Sequence, residues 1–143
     1  MESINLIEEK TLAYLAGFID GEGCFQLLQK PPHGKMKMFS WFPSLWIANS
    51  NLANLQYIQS FTRGSIHNNK RGYNLIVGSN NLRYILPQIT PYLVGKKEEA
   101  KSLLEALKLI EHRNKKVRDK TLDDKLLIIR KSLMQNHGSK KES

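Results

Sequence analysis

"YLAGFIDGEGCFQ", residues 14–26, sets two carboxylates, Asp20 and Glu22, among three glycines at the point where helical spacing gives way to alternation. Before it, Leu12, Leu15, Phe18 and Ile19 recur at three or four positions, the pattern of one buried helix face. A second stripe, Ala13, Gly17 and Gly21, recurs every four residues and is made of very small side chains. Each interior glycine costs a helix about 1 kcal/mol relative to Ala. The helix therefore gives up stability for a thin face, which admits a second helix at close range. That second helix is either another copy or one of the chain's own. Asn5 and Glu8 have the spacing of a capping box, and Glu8 and Glu9 complement the helix N-terminus. Asp20 and Glu22 stand at the other end, where the carbonyls repel them.

After Gly23 the period becomes two. Residues 24–30 are expected as a strand, "PPHGK" (31–35) as a turn, and 36–48 as a second strand. Phe39, Trp41, Leu45 and Ile47 share one face of the second strand; Met38, Ser40, Phe42, Ser44 and Trp46 share the other. Pro43 marks a bulge or an edge position. A short helix over 52–61 starts at Asn51 as N-cap, and 64–69 and 73–78 form a hairpin across Lys70–Arg71–Gly72. Three helices complete the chain: 80–86, closed before Pro87; 96–113, strongly amphipathic; and one capped by Thr121 with Asp124 and running to about Gln135. The order α-β-β-α-β-β, followed by these helices, predicts one α+β domain over 1–136, with 137–143 as a disordered basic tail.

Across its 143 residues the chain carries a net charge of +9, unevenly placed. Up to Gly23 the bases number only Lys10, against Glu2, Glu8, Glu9, Asp20 and Glu22. The rest is correspondingly more basic, a surface suited to polyanions. No apolar run approaches a spanning helix and no signal peptide is legible, which argues against a membrane partner and against secretion. The single Cys24 excludes an intramolecular disulfide framework and zinc-finger spacing. A soluble protein of a reducing intracellular compartment, cytoplasm or organelle matrix, is expected.

Residues 15–23, LAGFIDGEG, resemble the signature of LAGLIDADG homing endonucleases. Leu15, Ala16, Gly17, Ile19, Asp20 and Gly23 stand as in that signature, Glu22 supplies the acid at its eighth position, and Phe18 and Gly21 are common variants. The family's αββαββα order also matches the order derived above. The resemblance implies a saddle-shaped antiparallel sheet, helices on one face, lying in the DNA major groove. It implies a homodimer, since there is a single motif, joined through Ala13, Gly17, Asp20 and Gly21. It further implies that Glu22 and the Gly21 carbonyl bind Mg²⁺, or another divalent cation such as Mn²⁺, beside the scissile phosphate. Asp20 is expected as a helix cap across the dimer. "PYLVGKKEEA" (91–100) resembles the segment that supplies a lysine near the metal, here Lys96, with Lys97 the adjacent alternative. Asn49 stands nearest the place of a water-organising polar residue, while Ala53 stands where some members have arginine.

DNA contacts are expected from the sheet face shared with Glu22. Counting by twos gives Cys24, Gln26, Leu28 and Lys30; pattern matching adds Ser40, Ser44, Trp46, His67, Asn69, Asn74 and Ile76. Gln and Asn suit adenine edges, and Lys30, Lys35, Lys37, Lys70 and Arg71 suit guanine or phosphate. His67 also fits an ordinary strand position, and residues 112–120 a solvated loop or a phosphate-contacting one. The expected function is site-specific double-strand DNA cleavage by an intron-encoded homing endonuclease. An RNA maturase acting on intron RNA, or a non-cleaving DNA-binding regulator, is the alternative on the same fold.

Overall fold

The computed structural model describes residues 6–32, 39–113 and 119–142. Its elements are α1 (Glu9–Glu22), β1 (Gly23–Lys30), β2 (Ser40–Asn49), α2 (Leu52–Thr62), β3 (Ser65–Asn69) and β4 (Gly72–Val77). Then follow α3 (Ser79–Ile89), a 3₁₀ turn (Thr90–Tyr92), α4 (Lys97–Glu111) and α5 (Lys120–Glu142). The strands make one antiparallel sheet in the order β1-β2-β4-β3. On one face Phe25, Leu27, Trp41, Leu45, Ile47, Leu75 and Val77 are buried, packed with Leu15, Ile19, Leu82, Leu103 and Leu126 of the helices. This is the α+β, αββαββα architecture expected, followed by α4 and α5.

No loop separates α1 from β1. The Gly23 N–H still bonds the Ile19 carbonyl, while its own backbone is already extended. A Cβ at Gly23 would lie 2.8 Å from both Ile19 Cγ2 and Ile19 O, so glycine alone lets helix become strand within one residue. The position of Glu22 and the facing of every β1 side chain are therefore set together. At the hairpin, Gly72 has φ 144, and a Cβ there would lie 2.8 Å from the Asn49 carbonyl. That close approach brings the β3–β4 tip against the end of β2.

Several boundaries differ from expectation, each for an identifiable reason. α1 opens at Glu9, not after Asn5; Glu8 precedes it without a side-chain cap, and the Ile7 N–H is held by Gln88 Oε1 at 3.1 Å. Asn5 lies outside the described residues, as do Lys35, Lys37, Met38 and residues 114–118. The register of β1 on β2 is unbroken through Leu27↔Pro43, so there is no bulge. β4 pairs with β2 only over 45–49, leaving Pro43 without a ladder partner on that side. α3 does not stop before Pro87 but runs to Ile89. Proline inside a helix costs about 3 kcal/mol, yet Leu82, Ile85, Leu86 and Ile89 are fully buried and contribute about 1.5–3 kcal/mol each. Thr90 Oγ1 and Gln88 Nε2 donate to the Leu86 and Tyr84 carbonyls in that last turn. α5 is capped by Asp119, whose Oδ1 accepts from the Leu122 N–H, and not by Thr121. It continues through 137–142, the stretch expected to be a disordered tail.

α5 is docked on the core by a contact between distant residues: Trp41 Nε1 donates to Asp123 Oδ1 at 3.0 Å, both residues being buried. Trp41→Phe keeps the packing but removes the donor from a buried carboxylate. The expected cost is about 1–3 kcal/mol, read as a lower urea midpoint at unchanged slope. An unchanged midpoint would remove this bond from the docking of α5.

Candidate functional site

Asp20, in the last turn of α1, accepts from the Val94 N–H through Oδ2 at 2.8 Å and from the Lys96 N–H through Oδ1 at 2.9 Å. It thus caps the approach to α4 within its own chain. Lys96 answers from the other side: it is only 4% exposed, and its ammonium donates to the Asp20 carbonyl at 2.6 Å. A lysine at the carbonyl end of a helix offsets the partial negative charge there. One cation is therefore held at this helix end by the fold itself.

With Asp20 so engaged, Glu22 is the acid left exposed at the end of α1. It lines a shallow pocket with Asn49, Asn69, Arg71 and Tyr73. Asn49 Oδ1 accepts from the Asn51 N–H at 2.8 Å and from Asn54 Nδ2 at 3.3 Å, which ties it to the start of α2. Asn51 in turn caps the Ala53 N–H, confirming its N-cap position. Arg71, expected only as a DNA contact, is carried to the acid site by the turn at Gly72. The donors at this helix end are carboxylate and carbonyl oxygens, a set that fits a hard divalent cation. Among the described residues no group of three or more His, Cys, Asp or Glu side chains gathers anywhere.

The register settles which strand residues share a face, because directly opposed residues of antiparallel strands point the same way. Lys30 opposes Ser40, Leu28 opposes Phe42, and Gln26 opposes Ser44. Cys24 opposes Trp46, which opposes Ile76; Ala48 opposes Asn74, which opposes His67; and Asn69 opposes Gly72. Every described strand residue expected to read DNA thus lies on one face, opposite the core, with Lys70 and Arg71 exposed at the hairpin tip. Ser44 is the correction: it is 6% exposed, and its Oγ accepts the Trp46 indole N–H at 3.0 Å. Phe42, Ala48 and Ser65 also belong to this face, beyond the contacts that the pattern suggests. Phe42 is 42% exposed with Lys30 Nζ 5.2 Å from its ring centroid. Ser65 Oγ and His67 Nε2 are hydrogen-bonded at 2.9 Å.

The small-residue stripe of α1 is uncovered. Ala13, Gly17 and Gly21 are exposed, and a Cβ at Gly17 or Gly21 would meet nothing within 4 Å. Packing against the chain's own described helices is thereby excluded. Beside the stripe, Tyr14 is exposed, edge-on to Phe18 and 5.6 Å from the Tyr57 ring.

The family model for LAGLIDADG endonucleases matches residues 15–106, from the first motif residue into α4. The chain belongs to the LAGLIDADG endonuclease family. Its fold is similar to that of the homing endonuclease I-CvuI in complex with its target in the presence of Ca, with TM-score 0.76 and 23% identity over 88% of this chain and 81% of that one. It is similar to an archaeal intron-encoded homing endonuclease, I-Vdi141I, complexed with DNA (TM-score 0.64, 20% identity, 87% and 98% covered). It also matches the DNA-bound meganuclease I-SmaMI (TM-score 0.72, 18% identity) over 92% of this chain but 47% of that one. No curated protein is significantly similar in sequence. Among the described residues no helix is long and apolar enough to cross a membrane.

The Asp20 clamp generates a graded expectation. Asp20→Ala removes acceptors from two amides and should destabilise by about 1–3 kcal/mol; Asp20→Asn, keeping one oxygen, should lose less. Urea midpoints of the two variants check the order, and equal midpoints with wild type would show that the clamp does not hold α1 to α4.

Proposed function

We propose that this LAGLIDADG protein is a site-specific, intron-encoded endonuclease that cuts both strands of a long pseudo-palindromic DNA site as a homodimer with a divalent metal ion. The observation that carries the proposal is Glu22, an exposed acid at the head of a polar, basic sheet face. Eight residues of β1 rise about 26 Å, the length of about eight base pairs. One copy therefore spans half of a long site, and two copies joined at the α1 stripe would span all of it.

Within each half, Gln26, Asn69 and Asn74 offer paired donors and acceptors to base edges, and Lys30, Lys70 and Arg71 offer cations to guanine or phosphate. Leu28, Phe42 and Ile76 offer apolar contact to thymine methyls. Glu22 with the Gly21 carbonyl would hold Mg²⁺ or Mn²⁺, and phosphate oxygens, water and the second copy's acid would complete the set. Such an ion, when bound, activates water and stabilises charge on the leaving oxygen. Lys96 keeps α1 and its terminal carbonyls in place, and Asn49 and Arg71 flank the acid, where they can orient water and phosphate.

Glu22→Gln should lower cleavage by more than about a hundredfold, the scale of losing metal-assisted charge stabilisation, while DNA binding persists. Cleavage of a randomised duplex library with Mg²⁺ and with EDTA checks this. Equal cutting by the variant would remove Glu22 from the chemistry, and selective binding without cuts would favour the regulator or the maturase. Gly17→Leu should raise the helical stability of a single chain by about 1 kcal/mol yet split the dimer. Sedimentation and thermal melting read the two effects separately, and an unchanged mass would overturn the interface.

A further inference from the structure

A crevice opens beside the sheet where β4 has ended. The first half of β2 has no strand on that side, and the start of α3 and the end of α4 stand there instead. Its lining includes Ser40 and Phe42 of the open sheet face, Ser79 and Arg83 of α3, and Glu111 and Arg113 at the end of α4. The two guanidiniums are only partly satisfied. Arg113 Nη1 donates to the Phe39 carbonyl at 2.9 Å, and Arg83 Nη1 reaches Asn80 Oδ1 at 3.5 Å, the outer limit of a hydrogen bond. The Nε of each is buried without a partner among the described residues. A buried donor left without an acceptor costs about 1–3 kcal/mol. α3 begins here too, and its N-cap Gly78 offers no side chain to the first amides. Glu111 is the acid in the lining, so the charged side chains there leave a net positive site.

Two half-buried guanidiniums, each with an unpartnered Nε, and uncapped helix amides make a receptor for an anion with several acceptor oxygens, while the Ser79 hydroxyl is held by the Pro43 carbonyl at 3.3 Å. Resting on the DNA-cleaving function proposed above, we infer that this crevice binds a backbone phosphodiester of the DNA. Its source is set by continuity: Ser40 and Phe42 belong to the face on which the duplex would lie. Its distance from the acid site follows from β2. Ser40 stands eight residues from Ala48, the end of the strand at the Glu22 pocket, about 26 Å away. The crevice therefore holds the outer end of each half-site, where it contributes affinity and orientation and reads no base.

The test is the salt dependence of binding to a random-sequence duplex in EDTA, by fluorescence anisotropy. Replacing both Arg83 and Arg113 by Gln should flatten the slope of log K against log salt by about 0.9, one phosphate contact, and Arg83→Gln or Arg113→Gln alone should flatten it by part of that. Arg83→Lys should keep most of the slope, and Glu111→Gln should tighten binding. Lys30→Gln, on the sheet face, serves as the control. If Lys30→Gln flattens the slope and Arg83→Gln does not, the crevice makes no phosphate contact and the inference falls. Arg83→Gln with a lowered melting temperature but the wild-type slope assigns the arginine to folding alone and overturns the inference as well. Wild-type protein that binds no duplex would instead overturn the DNA function itself.

Discussion

The Asp20 carboxylate holds the architecture of the acid site together. Its two oxygens take the Val94 and Lys96 amides, and Lys96 returns a charged hydrogen bond to the Asp20 carbonyl. Bonds involving a charged group contribute about 1.5–3 kcal/mol each, and here three converge on one residue. They join the end of the first helix to the start of the fourth across more than seventy residues of chain. Because Gly23 turns helix into strand at once, fixing Asp20 also fixes Glu22 and the start of β1.

The clamp explains how one motif can hold two acids at an unfavourable helix end. Asp20 is neutralised inside the fold by amides and by Lys96, so Glu22 alone keeps its oxygens for solvent. The sheet makes a similar division. Its core face carries Phe25, Leu45, Ile47 and Leu75, fully buried, while the opposite face carries no acid side chain in any strand and lies open along its length. Ser44 is covered by its own neighbour, the Trp46 indole.

Much of this was legible because alternation and register carry long-range information in a local pattern. Counting by twos from Glu22 gave the correct face for Gln26, Leu28 and Lys30, and their partners across the sheet followed. The nine-residue motif implied the fold directly. Tertiary contacts were not legible. Nothing local pairs Asp20 with Val94, Trp41 with Asp123, or Ile7 with Gln88. Pro87 ends a helix by rule, and four buried side chains override the rule. Thr121 looks like the cap because an acid, Asp124, follows it at capping-box spacing, whereas Asp119 has Leu122 at that place and still supplies the bond. Arg71 reaches the Glu22 pocket through the tight approach at Gly72, a geometry that sequence spacing does not disclose.

The separation of the two sheet faces has an evolutionary consequence. Side chains such as Gln26, Leu28, Phe42, His67 and Asn74 project away from the core, so substituting them leaves the packed interior untouched. Stability and surface chemistry are then written in alternate letters of the same strands. Insertions have no such freedom: one extra residue at the Glu22–Gly23 junction would turn every β1 side chain over. Drift in this lineage can proceed by exchange of outward letters, while the length of β1 stays frozen.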